Sequence, residues 1–168
     1  TVNSTGDGVK SDNTEDTTKG YIIIEGGSLN ITSGGDGIQA ETTLTISDGD
    51  INIVSGGGSS NAATHAESFQ MGPWANPSNT SSSSSSETGS AKALKAGTAL
   101  TVDGGNITID SADDSIHTND TVTINGGYIV IDVAGDGVDS NGSITMTNGT
   151  VIVNGPENSG NGALDYDT

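Results

Sequence analysis

One pentapeptide pattern keeps returning along this chain. Gly27-Ser28-Leu29-Asn30-Ile31 recurs as Gly49-Asp50-Ile51-Asn52-Ile53, Gly105-Asn106-Ile107-Thr108-Ile109, Gly127-Tyr128-Ile129-Val130-Ile131 and Gly149-Thr150-Val151-Ile152-Val153. The central residues Leu29, Ile51, Ile107, Ile129 and Val151 are separated by 22, 56, 22 and 22 positions. The long step is one period plus 34, and a polar tract of that length, at about residues 57–90, supplies the excess. A fixed period of this size is the mark of a solenoid, in which each repeat is one coil stacked on the next.

The rest of the unit keeps the same register. Ile22 and Ile24 return as Leu44 and Ile46, Leu100 and Val102, Val122 and Ile124, and Ile144 and Met146. A third apolar column runs through Val9, Ile38, Leu94, Ile116, Val138 and Leu164, with a first step of 29 and a last of 26, so the end repeats carry short insertions. Within Leu44-Thr45-Ile46 and its copies the alternation has period two, which reads as strand. The expected fold is therefore all-β: a right-handed, single-stranded parallel β-helix. It has about five to six coils of ~22 residues in one domain over residues 1–168, with a loop insertion at about 57–90. The hand follows the general preference of parallel crossovers.

Composition agrees with that architecture. Only 30% of residues are hydrophobic and 3% aromatic, too few for a conventional globular core. A β-solenoid needs only a few inward aliphatics per coil, stacked on those of the next. The 26 glycines, with abundant Asn, Asp, Ser and Thr, suit its corners. No cysteine is present, so disulfides say nothing of compartment. No 18-residue apolar run exists to span a membrane as a helix. The chain opens on Thr1, without a Met or a signal-like stretch, and reads as a mature or excised piece.

The net charge is −18, from 22 acids against four lysines and no arginine. Nucleic acid needs a basic stripe and is excluded as a partner. Anionic membrane surfaces are excluded on the same ground. The remaining directions are cations, partners reached through cations, or solubility alone.

Stacked coils lie about 4.8 Å apart, so equivalent residues form columns. The turn position gives Asp7, Asp36, Lys92, Asp114 and Asp136, with Asp113 beside Asp114. Three positions on, the column reads Lys10, Gln39, Lys95, His117, Asp139 and Asp165. One edge is thus lined with carboxylates and carries three of the four lysines. Two unscreened carboxylates about 5 Å apart repel by roughly 3 kcal/mol at an effective dielectric of ~20. Calcium, with six to eight oxygen ligands, relieves such a stack. Asp7, Asp36, Asp113, Asp114, Asp136 and Asp139 are the candidate ligands. The competing reading is that these aspartates cap their own turns through Asx-type hydrogen bonds. Without cysteine and with two histidines, zinc is disfavoured. Lys92 and Lys95 are candidates for a base or a sugar-carboxylate anchor, or for internal counter-ions that take the place of calcium in one coil.

Three strings carry a family resemblance: Ser90-Ala91-Lys92-Ala93-Leu94-Lys95-Ala96-Gly97, Asp110-Ser111-Ala112-Asp113-Asp114-Ser115-Ile116-His117-Thr118-Asn119 and Gly160-Asn161-Gly162-Ala163-Leu164-Asp165-Tyr166-Asp167. The chain resembles bacterial extracellular calcium-binding β-helix proteins that bind carbohydrate. They are similar in fold to pectate lyases, and the best-known, clostridial member binds cellulosic and acidic, pectin-like polysaccharides. The resemblance implies a right-handed parallel β-helix, an extracellular or cell-surface place, and calcium at Asp36, Asp113, Asp114 and Asp136. This chain looks shorter than typical members.

The insert contains Phe69, Met71 and Trp74, followed by the serine run 81–86. Loops of this length are functional or disordered. Trp74 is a candidate for stacking on a sugar ring, or else the three side chains pin the loop to the coil side. Outward Thr43 and Thr45, Thr121 and Thr123, and Ser143 and Thr145 form a T-x-T-like face, as in ice-binding solenoids, although Thr is also a good exposed strand residue. No amphipathic cap is visible at either end, so the expectation is either a piece cut from a longer solenoid or head-to-tail stacking of copies into a homopolymer.

Three functions follow. The first is a non-catalytic, calcium-stabilised binder of cellulosic or uronic-acid polysaccharide. The second is a structural protein that stacks into a calcium-stabilised extracellular filament. The third is a calcium-dependent polysaccharide lyase, which requires a base of depressed pKa. The chain has no arginine, Lys92 or Lys95 would serve only with a depressed pKa, and neighbouring aspartates raise a lysine rather than depress it.

Overall fold

The computed structural model describes residues 1–61, 90–156 and 160–167. In chain order the strands are β1 (Val2–Ser4), β2 (Val9–Ser11), β3 (Ile22–Ile24), β4 (Ser28–Ser33), β5 (Ile38–Ala40), β6 (Thr43–Ile46), β7 (Asp50–Ser55), β8 (Leu94–Ala96), β9 (Ala99–Val102), β10 (Asn106–Ser111), β11 (Ile116–Thr118), β12 (Thr121–Ile124), β13 (Tyr128–Val133), β14 (Val138–Ser140), β15 (Ser143–Met146), β16 (Thr150–Asn154) and β17 (Leu164–Tyr166). They form three parallel sheets. The first runs β1-β4-β7-β10-β13-β16, the second β2-β5-β8-β11-β14-β17, and the third β3-β6-β9-β12-β15. Each coil passes through the second, third and first sheets in turn, so the chain is a parallel β-solenoid of the expected class.

The sequence period becomes the hydrogen-bond register. Ile107 pairs with Ile129, Ile129 with Val151, and Leu44 with Leu100. The 56-residue step is absorbed the same way: Ile51 of β7 lies beside Ile107 of β10, as if no insert intervened. The extra residues fall in the chain between β7 and β8, and the described part of that segment begins at the turn after β7. Its described root is a short 3-10 turn, Ser59–Asn61, tied down where the Ser59 amide donates to Asp110 Oδ1 at 2.6 Å. Trp74, Phe69 and Met71 lie outside the described residues.

The core is a set of aliphatic columns. Ile38, Leu94, Ile116 and Val138 come from the second sheet, Leu44, Leu100 and Val122 from the third, and Ile51, Ile107 and Ile129 from the first; each is at most 1% exposed. Sealing one such side chain from water stabilises by about 1.5–3 kcal/mol, so a handful per coil is enough to hold a coil to its neighbours. Where the third sheet meets the first, Gly27, Gly49, Gly105, Gly127 and Gly149 stack with φ between +91° and +130°. A Cβ at Gly105 would stand 2.7 Å from the carbonyl oxygen of Gly49, so both the backbone conformation and the close approach of coils demand glycine. No helix among the described residues is long and apolar enough to cross a membrane.

Candidate functional site

The acidic column occupies the corner where the first sheet hands over to the second. Coil after coil, the turn places one Asp with its side chain along the solenoid axis. Asp7 Oδ1 accepts the Asp36 amide at 3.0 Å, and Asp36 Oδ1 accepts the Lys92 amide at 2.9 Å. Asp114 Oδ1 accepts the Asp136 amide at 2.8 Å, and Asp136 Oδ1 accepts the Gly162 amide at 2.5 Å. These carboxylates cap the turn of the next coil, not their own turn as the Asx reading had it. The next coil's amide lies one inter-coil spacing away, within reach of a short side chain, so one Asp oxygen serves as the rung of a ladder. At Lys92 the ladder inverts. Lysine has no acceptor, and its ammonium instead donates to Asp114 Oδ2, and to Asp113 Oδ2 at 3.2 Å.

The second carboxylate oxygens decide the electrostatics. Asp7 pairs with Lys10 at 3.0 Å on the surface. Asp36, almost wholly buried, pairs with Lys95 at 3.1 Å and accepts the Ser90 hydroxyl at 2.7 Å. Burial lowers the pKa of Lys92, but Asp114 and Asp113 outweigh it and hold the ammonium above its ordinary value. For Asp113 burial acts upward, and Lys92 with the Asp114 and Ala91 amides brings its carboxyl below the usual range.

In the coils after the one that carries Lys92 and Lys95 there are no lysines. Asp136 Oδ2 has no partner among the described residues. Burial pushes the Asp136 carboxyl up; the Gly162 amide opposes this, while Asp114, Asp139 and Asp165 add to it. Asp139 Oδ2 meets His117 Nδ1 at 2.5 Å, and the proton's place there depends on the tautomer. Ligand atoms of Asp114, His117 and Asp139 lie within 4.8 Å of one another. Asp165 continues the column of His117 and Asp139. The corner thus divides into coils neutralised from within by lysine and coils where carboxylates face one another.

A family model described as a carbohydrate-binding domain-containing protein matches residues 1–137. The chain belongs to that family. No curated protein and no solved structure matches it. The matched stretch takes in the corner from Asp7 to Asp136 and stops short of Asp139. In this carbohydrate-binding family member, every sequence-derived site residue inside the described region lies at one corner. Asp7, Asp36, Asp113 and Asp114 have lysine partners, and Asp136 and Asp139 do not. Lys92 and Lys95 are engaged by carboxylates, with side chains 15% and 28% exposed, and are not free to meet a ligand as the corner stands. Trp74 is outside the described residues, although the insert that carries it is rooted at this corner, between Asn61 and Ser90.

Two participants carry no role assigned from the sequence, although the sequence already places His117 in the column with Asp139. Ser90 bridges Asp36 and Lys95 and is signalled only by its place at the end of the insert. His117 stands 22 residues before Asp139, one period, which is a legible signal of contact across coils.

Proposed function

We propose that this chain is a non-catalytic polysaccharide-binding module that works outside the cell on a rigid β-solenoid. The observation that carries this reading is the family match over residues 1–137, most of the solenoid. The state of the lysines supports the absence of catalysis: abstraction of a sugar proton needs a neutral amine, and Lys92 is held protonated by Asp113 and Asp114.

Calcium belongs to the same proposal, restricted to part of the candidate set. Asp136 and Asp139, with Asp114 and Asp165 beside them, offer hard oxygen donors and no lysine of their own except through Asp114. This donor chemistry fits calcium. The bound ion would neutralise the unpaired end of the corner, as Lys92 and Lys95 do in the coils before it. Asp7, Asp36 and Asp113 already have ammonium partners and fit less well.

The test is retention on insoluble cellulose and on cross-linked polygalacturonate, with calcium and with chelator. Retention on either polymer supports the module, and loss on chelation places calcium in the site or in the scaffold beneath it. A folded sample retained on neither contradicts the proposal.

A further inference from the structure

The outward face of the first sheet carries an apolar platform that the acidic corner does not explain. Tyr128 is 49% exposed and Ile152 39% exposed, although both lie on strands. Alternation along β13 turns Ile129 and Ile131 inward and Tyr128 and Val130 outward. Register sets Val130 directly beside Ile152, and Tyr128 between Asn106 and Thr150. Tyr128 thus shares the outward face with two branched aliphatic side chains, Val130 two residues on and Ile152 beside it on β16. Around them stand Asn106, Thr108, Asp132 and Asn154. Asn106 is fixed by donating to Asp50 at 2.9 Å, and Asn154 by donating to Asp132 at 2.9 Å. A solvent-facing tyrosine on a strand joins a stacking surface to a polar tip.

Charge selects the occupant. The outward residues of this sheet include Asp50, Asp110 and Asp132 and no lysine or histidine. Of the described lysines, Lys10, Lys92 and Lys95 belong to the second sheet and the corner beside it, and Lys19 pairs with Asp16 in the segment between β2 and β3. A polyuronate approaching the first sheet would meet only carboxylates on a chain of net charge −18. A neutral polymer meets no such barrier. A pyranose ring whose hydroxyls are all equatorial presents axial C–H groups on both faces and hydroxyls around its rim. That matches an apolar centre ringed by amides and hydroxyls.

We infer that the outward face of the first sheet, centred on Tyr128, Val130 and Ile152, is the sugar-binding surface, and that it takes a neutral β-linked polysaccharide of the glucan or xylan type. This rests on the carbohydrate-binding reading and is independent of calcium.

The experiment compares wild type, Tyr128→Ala, Tyr128→Phe and Tyr21→Ala on amorphous cellulose, xylan and polygalacturonate, with calcium present throughout. Tyr21 is also exposed but lies on the third sheet's side, next to outward Ile23, and controls for loss of any surface tyrosine. The expected result is wild-type binding to a neutral polymer, weakened about tenfold or more in Tyr128→Ala and retained in Tyr128→Phe and Tyr21→Ala. All variants should keep the wild-type circular-dichroism spectrum. Neutral-polymer binding that survives Tyr128→Ala overturns this surface but leaves the module. Binding to polygalacturonate alone overturns the neutral ligand. A wild-type dimer that Tyr128→Ala converts to monomer assigns the platform to a second copy of the chain and overturns the inference. Wild type that binds no polymer removes the carbohydrate-binding reading itself, and the inference with it.

Discussion

Replacing Lys92 by Met is the most informative single perturbation of the corner. It keeps the aliphatic stem and deletes the charge. What remains is Asp113 and Asp114, side by side, with side chains 19% and 13% exposed and no other lysine paired to them among the described residues. Breaking a buried pair by removing one partner costs about 3–5 kcal/mol, and the residual exposure here puts the expectation near the lower end, about 3 kcal/mol. For a chain of this size that is a fall in Tm of about 6–12 °C. The pH dependence fixes the cause. Asp113 has a folded-state pKa below its unfolded value, so its stabilisation is complete above the ordinary carboxylate range and disappears as pH falls through the lowered value. Lys92 has a raised folded-state pKa, so its share is present below the ordinary lysine value and is lost as pH rises through the raised one. The gap between wild type and Lys92→Met should therefore be widest at neutral pH and close in acid. Thermal melts followed by circular dichroism in chelator, across pH, measure it. A neutral-pH Tm within about 2 °C of wild type, or a gap that persists where the carboxylates are protonated, refutes the counter-ion account of Lys92.

Asp136→Asn keeps an acceptor for the Gly162 amide and removes a charge that burial and three neighbouring acids disfavour. The raised folded-state pKa of Asp136 means that its ionisation costs stability as pH rises through that value. In chelator at neutral pH the variant should melt above wild type, and its calcium-induced rise in Tm should be smaller. Gly105→Ala forces a side chain into φ +91° and against the Gly49 carbonyl, a strain of about 1–3 kcal/mol before the clash is counted. Urea unfolding should report a loss of at least that size. His117→Ala leaves Asp139 without its 2.5 Å partner and should raise the calcium dependence of Tm relative to wild type.

The solenoid was legible because the period is carried by the core itself. Leu29, Ile51, Ile107, Ile129 and Val151 are inward on successive coils, and parallel in-register pairing leaves a 22-residue offset no other arrangement. The same register spans the 56-residue step, where Ile51 lies beside Ile107. The gathering of Asp7, Asp36, Asp114 and Asp136 also followed from the period. What each carboxylate does there did not. Whether an Asp caps its own turn or the next depends on where the turn amides point, and residue identity does not encode that. The inversion at Lys92 was half legible: a lysine in an acidic column announces a counter-ion, but not which two acids it takes. Tyr128 stands at the variable second position of its pentapeptide, beside Ser28, Asp50, Asn106 and Thr150 in the other copies, where the period gives no signal. Its outward direction follows at once from inward Ile129.

The central claim is that this solenoid binds polysaccharide and leaves it intact. Affinity electrophoresis of calcium-loaded protein through gels containing soluble glucan, xylan or polygalacturonate, with recovered polymer assayed for chain length and unsaturated ends, tests both halves together. The account predicts retardation by at least one polymer whose length distribution is unchanged. Free migration in every gel, or shortened chains bearing unsaturated ends, contradicts it.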